Sequence, residues 1–396
     1  MAMLNENSVA IGRQSGMEEL AAEILLVVIS QLSDLPSLRN LINASPAAFR
    51  LFKTYGVEIT ESILTSGNTT KQIPEIIRLI ALIRSSSLPI HGLQEFKTRV
   101  VAQCMVQVPT ADAFLPESLS KDIPSVVLRS ILASAHRISL LTPNCLSYYL
   151  DQLQTIKPEV PVDGNFSYGR GRRRKAARKH PESRRLLVEK LEPPAWIEVQ
   201  RVERAFWRVQ FFYDLKMAAS QSLLSWSAAD LESLQNMEPK DLYDDTRYPE
   251  FEEINTIVDY IQHLRARKAS DLQVSGVLPL PSTSFENSNW PILVPGKEDI
   301  MHLPIEAPAL WIFRGISHNI NHPLRYISFE SFRRFGLALW SQERVASLGL
   351  VRPVRAPDDR EPSKPIDFYY FTWRSILSTD EILEAENVIQ QRDQDR

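Results

Sequence analysis

Apolar positions recur at helical spacing along most of the chain, and that spacing predicts its elements. Ile73, Ile76, Ile77, Ile80 and Ile83 draw one stripe at steps of three and four, as on a half-buried helix. Residues 122–154 carry a longer pattern that Thr142-Pro143 should break into two helices, because proline removes a backbone donor and clashes with the preceding turn. Trp196, Val199, Val202, Phe206, Val209 and Tyr213 repeat likewise, with Trp207 and Phe211 on a second face. A helix apolar around that much of its circumference belongs at the centre of a core. Phe251, Ile254, Val258 and Ile261 continue the period, as do Phe329, Phe332, Phe335 and Leu339. Convincing period-two strands are absent. The pattern predicts a mainly α fold, with a short N-terminal three-helix module followed by a larger irregular helical body.

Capping residues divide the N-terminal part. Ser15-Gly16-Met17-Glu18 fits a capping box, in which serine and glutamate side chains satisfy backbone N–H groups reciprocally. It predicts a first helix running to Leu32. Asp34-Leu35-Pro36 should open a second helix and Ser45-Pro46 a third, since proline suits a first turn and a serine oxygen caps it. This makes 15–64 a helical module behind a loose, polar 1–14. Residues 65–156 read as a helical region, 157–194 as a basic flexible linker or loop, and 195–396 as a helical C-terminal region. Proline-rich loops at 272–310 and 352–366 interrupt the last region. Its large aromatic area predicts a body that folds without the module.

The segment Leu20-Ala21-Ala22-Glu23-Ile24-Leu25, continuing through Ile29-Ser30-Gln31-Leu32 and Leu38-Arg39-Asn40-Leu41 to Ser45 and Phe49, resembles an F-box. That family is a short helical module that docks on the Skp-type adaptor of cullin-based ubiquitin ligases. Two positions depart from the family pattern: Ala21 stands where the family has proline, and Phe49 comes one residue later than the family aromatic. The rest of the chain is loosely similar to fungal proteins that begin with a degenerate F-box. The resemblance implies adaptor contacts from among Leu20, Ala21, Glu23, Ile24, Leu25, Ile29, Leu32, Leu38 and Leu41, with the helical body presenting an unknown protein client. On periodicity alone, the wide apolar face of the first helix reads first as burial against the rest of the chain; it is the ordered match to the F-box pattern that favours the adaptor.

Composition narrows the alternatives. Of 396 residues, 44% are hydrophobic and 23% charged, ordinary values for a globular chain. The net charge of −3 supplies no global attraction to nucleic acid or anionic membrane. Two cysteines, Cys104 and Cys145, cannot form a disulfide framework, and reduced thiols are expected. The apolar run Ile24–Ile29 is too short for a signal peptide or membrane span, so a nuclear or cytoplasmic location is expected. No GxSxG elbow, phosphate-cradling glycine loop or HExxH is present, and neither a catalytic role nor a cofactor is expected. His318 and His322 lack further ligands of zinc type and spacing, so no metal site is expected. Asp244, Asp245, Glu250, Glu252 and Glu253 read as a solvated helix start whose charge complements the dipole.

Local charge departs from the average in one place. Arg170, Arg172, Arg173, Arg174, Lys175, Arg178 and Lys179, followed by Arg184 and Arg185, have the density of a nuclear-import signal, and equally that of a solvated loop held open by self-repulsion. Interleaved aromatics, which would favour single-stranded nucleic acid, are absent. The expected function is a non-catalytic, adaptor-binding substrate-recognition subunit of a Skp–cullin–F-box ligase. The alternative is a helical nuclear scaffold in which the F-box-like segment is only structural.

Overall fold

The structure is a computed structural model that describes residues 16–66, 68–105, 114–166, 181–188, 191–243, 250–268, 307–318, 323–353 and 364–394. The fold is mainly α. Three helices open it, α1 (Ala22–Ser30), α2 (Leu35–Ala44) and α3 (Pro46–Leu64), followed by α4 (Gln72–Arg84). The short α5 (Leu93–Phe96) passes through a π-helical turn (Lys97–Val101) into α6 (Ala102–Met105), and α7 (Ser125–Gln154) is the longest helix described. Strands β1 (Glu159–Pro161) and β2 (Ser183–Arg185) pair antiparallel, Val160 opposite Arg184. This ribbon lies inside the stretch expected to be a flexible linker.

The C-terminal half comprises α8 (Trp196–Ser220), α9 (Ala228–Asn236), α10 (Pro239–Leu242), α11 (Glu250–Lys268) and α12 (Pro308–His318), then α13 (Glu330–Arg333), α14 (Gln342–Ser347), α15 (Ile366–Ser375) and α16 (Thr379–Gln394). Helix α8 is the hub, with α4, α7 and α11 packed around it. Its apolar circumference predicts that position. What the apolar pattern does not predict is that Arg201, Arg204 and Arg208 are buried on it as well. Arg204 donates to both Glu253 oxygens at 2.7 Å and to Gln72 at 2.8 Å. Arg201 donates to the carbonyls of Leu339 and Trp340. Glu198 caps α8 through the Ala195 N–H and accepts two bonds from Arg344. Buried charges persist only with such partners.

Three expectations are corrected. Helix α1 starts at Ala22, with no side-chain cap at Ala21, because Glu18 reaches instead to the Ser45 hydroxyl and the Ala47 N–H at the start of α3. Helix α7 runs unbroken through Pro143. Thr142 Oγ1 and Asn144 Nδ2 bond the Ile138 and Leu140 carbonyls on either side of the gap, and buried Leu141, Cys145 and Leu146 hold the helix in the core. The acidic stretch is not simply a solvated helix start: Glu253 is buried against Arg204 and Glu252 accepts from Arg333 at 2.9 Å. Asp244 and Asp245 lie outside the described residues.

Candidate functional site

Among the described residues, helix α1 presents the most continuous run of exposed apolar side chains. It packs on α3, and only Leu25 and Ile29 are fully buried from it. Those two, one turn apart, fix which side of the helix faces inward. Leu20, just before the helix, is 38% exposed, Ile24 55%, Val27 60% and Val28 40%. Spacing places Ile24 and Val27 on the outer side with Val28 at its edge, and Ala21 and Ala22 are exposed where the chain enters the helix. Glu19 and Glu23, also exposed, flank the apolar strip.

Three hydrogen-bonded devices hold this helix and its neighbours in position. The Glu18 carboxylate binds Ser45 Oγ and lies 3.1 Å from the Ala47 amide, where an anion also complements the α3 dipole. Ser45 Oγ accepts from the Ala48 N–H at 3.1 Å, capping α3. Asp34 caps α2 by accepting from the Ser37 N–H at 2.7 Å. Both caps agree with the sequence pattern. Phe49, the displaced aromatic of the F-box-like segment, is 38% exposed with the Arg129 guanidinium 5.6 Å from its ring centre.

The expected contact residues divide by this geometry. Leu20, Ala21, Glu23 and Ile24 are exposed, Glu23 and Ile24 on the helix and the other two just before it. Leu25, Ile29 and Leu38 are buried in the core, and Leu32 and Leu41 pack half-buried against it. Val27 and Val28 are absent from the expected contacts, yet they complete the outer strip. Assigning Leu25 and Ile29 inward would have revealed them, because position 27 then falls opposite, with 24 and 28 beside it.

Such a surface performs no bond chemistry. Withdrawing its apolar area from water is worth roughly 25 cal/mol per Å². Among the described residues no group of three His, Cys, Asp or Glu side chains could hold a metal ion, and no helix is long and apolar enough to cross a membrane. The His318 side chain and His322 lie outside the described residues. So do Arg170, Arg172, Arg173, Arg174, Lys175, Arg178 and Lys179. Arg184 and Arg185 are exposed on β2, with Arg185 Nε 3.9 Å from a Glu159 carboxylate oxygen. Compared with protein-family models, curated proteins and solved structures, the chain matches none of them.

Proposed function

We propose that this chain is a non-catalytic F-box-like protein whose α1 face docks on a Skp-type adaptor, leaving the helical body to present a protein client to a cullin ligase. The observation that carries the reading is the division of α1 into a buried side and an exposed apolar side bearing Ile24, Val27 and Val28. The basic run between β1 and β2 is consistent with nuclear import in the same reading.

Titration of the full chain against purified Skp-type adaptor tests the proposal. Ile24→Glu and Val27→Glu alter side chains that are more than half exposed, so both variants should keep the wild-type circular dichroism and melting point. Each should weaken adaptor binding by at least tenfold, the loss of about 1.4 kcal/mol or more expected of an interface anchor. Ala21→Pro should strengthen it: Ala21 has φ −57° at the N-cap, a value proline already holds. Absence of wild-type binding at about 50 µM, unrescued by Ala21→Pro, would leave the scaffold reading ahead.

A further inference from the structure

A second surface feature lies away from α1, where the C-terminal ends of α4 and α8 meet the start of α7. A cleft of about 340 Å³ opens there, lined by Ile83 and Arg84 of α4, Val126 and Ser130 of α7, and Asp214 and Met217 of α8. Leu223, just past the end of α8, forms another part of its wall. Three large apolar side chains of its lining remain in solvent: Val126 is 58% exposed, Leu223 40% and Met217 38%.

The charged pair in the lining is internally neutralised. Arg84 donates from Nε and Nη2 to the two Asp214 oxygens at 3.0 and 2.8 Å, and from Nη1 and Nη2 to Ser130 and Ser134. Gln210 donates to the same carboxylate at 3.1 Å. The ion pair therefore leaves the cleft without net charge, and a charged ligand would be desolvated there without a free counter-ion.

Both helix ends at the cleft close in an unusual way. Ser86 after α4 and Ser222 after α8 each have φ +56°, and they are the non-glycine residues with positive φ among those described. In each case the helix ends in a Schellman pattern: Ser86 and Ser87 donate to Ile83 and Leu82, and Ser222 and Leu223 donate to Ala219 and Ala218. Glycine normally occupies that left-handed position, and a residue with a Cβ is strained there. Such strain concentrates at ligand clamps and functional surfaces. Here the Ser222 turn brings Leu223 back to the cleft wall.

We propose that this cleft receives one apolar side chain, of the leucine, methionine or phenylalanine class, carried by a peptide segment of a partner protein. Charge complementarity selects the occupant: a neutralised Arg84–Asp214 pair and a mainly apolar lining suit an uncharged hydrocarbon or thioether group. The volume lies at the small end of ligand pockets, which span about 300–1,000 Å³ and enclose most of a free ligand. The apolar lips, Val126, Met217 and Leu223, instead stand in solvent, where a peptide backbone crossing them would complete their cover. Met217 adds an adaptable contact, since its unbranched thioether repacks around different partners. The inference does not depend on the α1 reading.

The test uses the full chain with ¹³C-methyl methionine, the Met217 resonance being assigned from Met217→Leu. Acetylated, amidated Ser-Gly-X-Gly-Ser peptides with X = Leu, Met, Phe, Lys or Asp are the probes. The apolar peptides should shift the Met217 methyl saturably with dissociation constants below about 10 mM, and the Lys and Asp peptides should bind at least tenfold more weakly. Leu223→Asp should abolish the shift, and Leu223→Met, which preserves the fold if the charge does not, should retain it. No saturable shift with any apolar peptide, or equal shifts with the charged ones, would overturn the proposal. So would self-association in sedimentation that Leu223→Asp removes, because a second copy would then be the occupant.

Discussion

Glu203 shows at one position how burial sets a titration. It lies on α8 beside Gln200, whose amide donates to it at 3.1 Å. Burial pushes its carboxyl from 4.5 up to about 7; nearby Asp34 adds to the rise and the Gln200 hydrogen bond opposes it. The folded state therefore holds this proton more tightly than the unfolded chain does. Its contribution to stability is complete below pH 4.5 and disappears as pH rises through about 7. Glu203→Gln imitates the protonated form and should be more stable than wild type at about pH 8, by on the order of 1–3 kcal/mol. The two proteins should converge toward pH 4.5, the lower edge of the window. Urea midpoints measured across that range check this, and a difference that stays constant would show that folding does not shift the Glu203 carboxyl. The Glu203 environment was not legible in sequence, because its cause is tertiary. Asp34 and Ser45 were legible because capping is local chemistry within one turn. Glu18 was misread for the opposite reason: its acceptor role is at α3, 27 residues away from its own segment along the chain.

At the scale of elements, periodicity identified α4 and α8 well, since both bury wide apolar faces. It could not show that Arg201, Arg204 and Arg208 enter the core, because their partners come from Gln72, Glu253 and the Leu339–Trp340 backbone. Pro143 was misjudged because a proline's local cost, about 3 kcal/mol in a helix interior, is outweighed when the flanking turns are buried. Half of the α1 face was legible and half was not: periodicity marked the helix as apolar all round without saying which side faced inward. The ends of α4 and α8 yield a prediction of their own. Ser86→Gly and Ser222→Gly remove a Cβ from a left-handed residue, a strain of about 1–2 kcal/mol, against which the added freedom of the unfolded chain costs about 0.4–1 kcal/mol. Each variant should therefore gain about 0.5–1 kcal/mol, read as a higher thermal midpoint. A fall in the midpoint would show that the serine side chains themselves stabilise these turns.

Across the whole molecule, the N-terminal helices and the body share one hydrophobic core. Helices α2 and α3 both pack on α7, and buried residues from Leu25 to Leu64 belong to the same cluster as those of α7 and α8. Gly56 of α3 leaves room for the Leu128 side chain of α7, whose Cδ1 a Cβ there would meet at 3.0 Å. Polar links cross the same boundary. Glu61 of α3 accepts from Arg78 of α4 and from the Leu119 N–H, and Asn68 donates to the Ser33 carbonyl. A body able to fold without the module, as aromatic content alone implied, is therefore not what the packing supports. Its large apolar residues are present, but part of their cover comes from α2 and α3. A chain starting at residue 65 would uncover α7 and leave Arg78, only 8% exposed, without its carboxylate. Removing one partner of such a buried pair costs about 3–5 kcal/mol, before any lost apolar contact is counted. The truncated chain should bind a hydrophobic dye and lose its sharp thermal transition, and residues 1–64 supplied in trans should reverse both changes. A truncated chain that melts cooperatively at the full-length temperature would show instead that the boundary between α3 and α4 separates two independent cores.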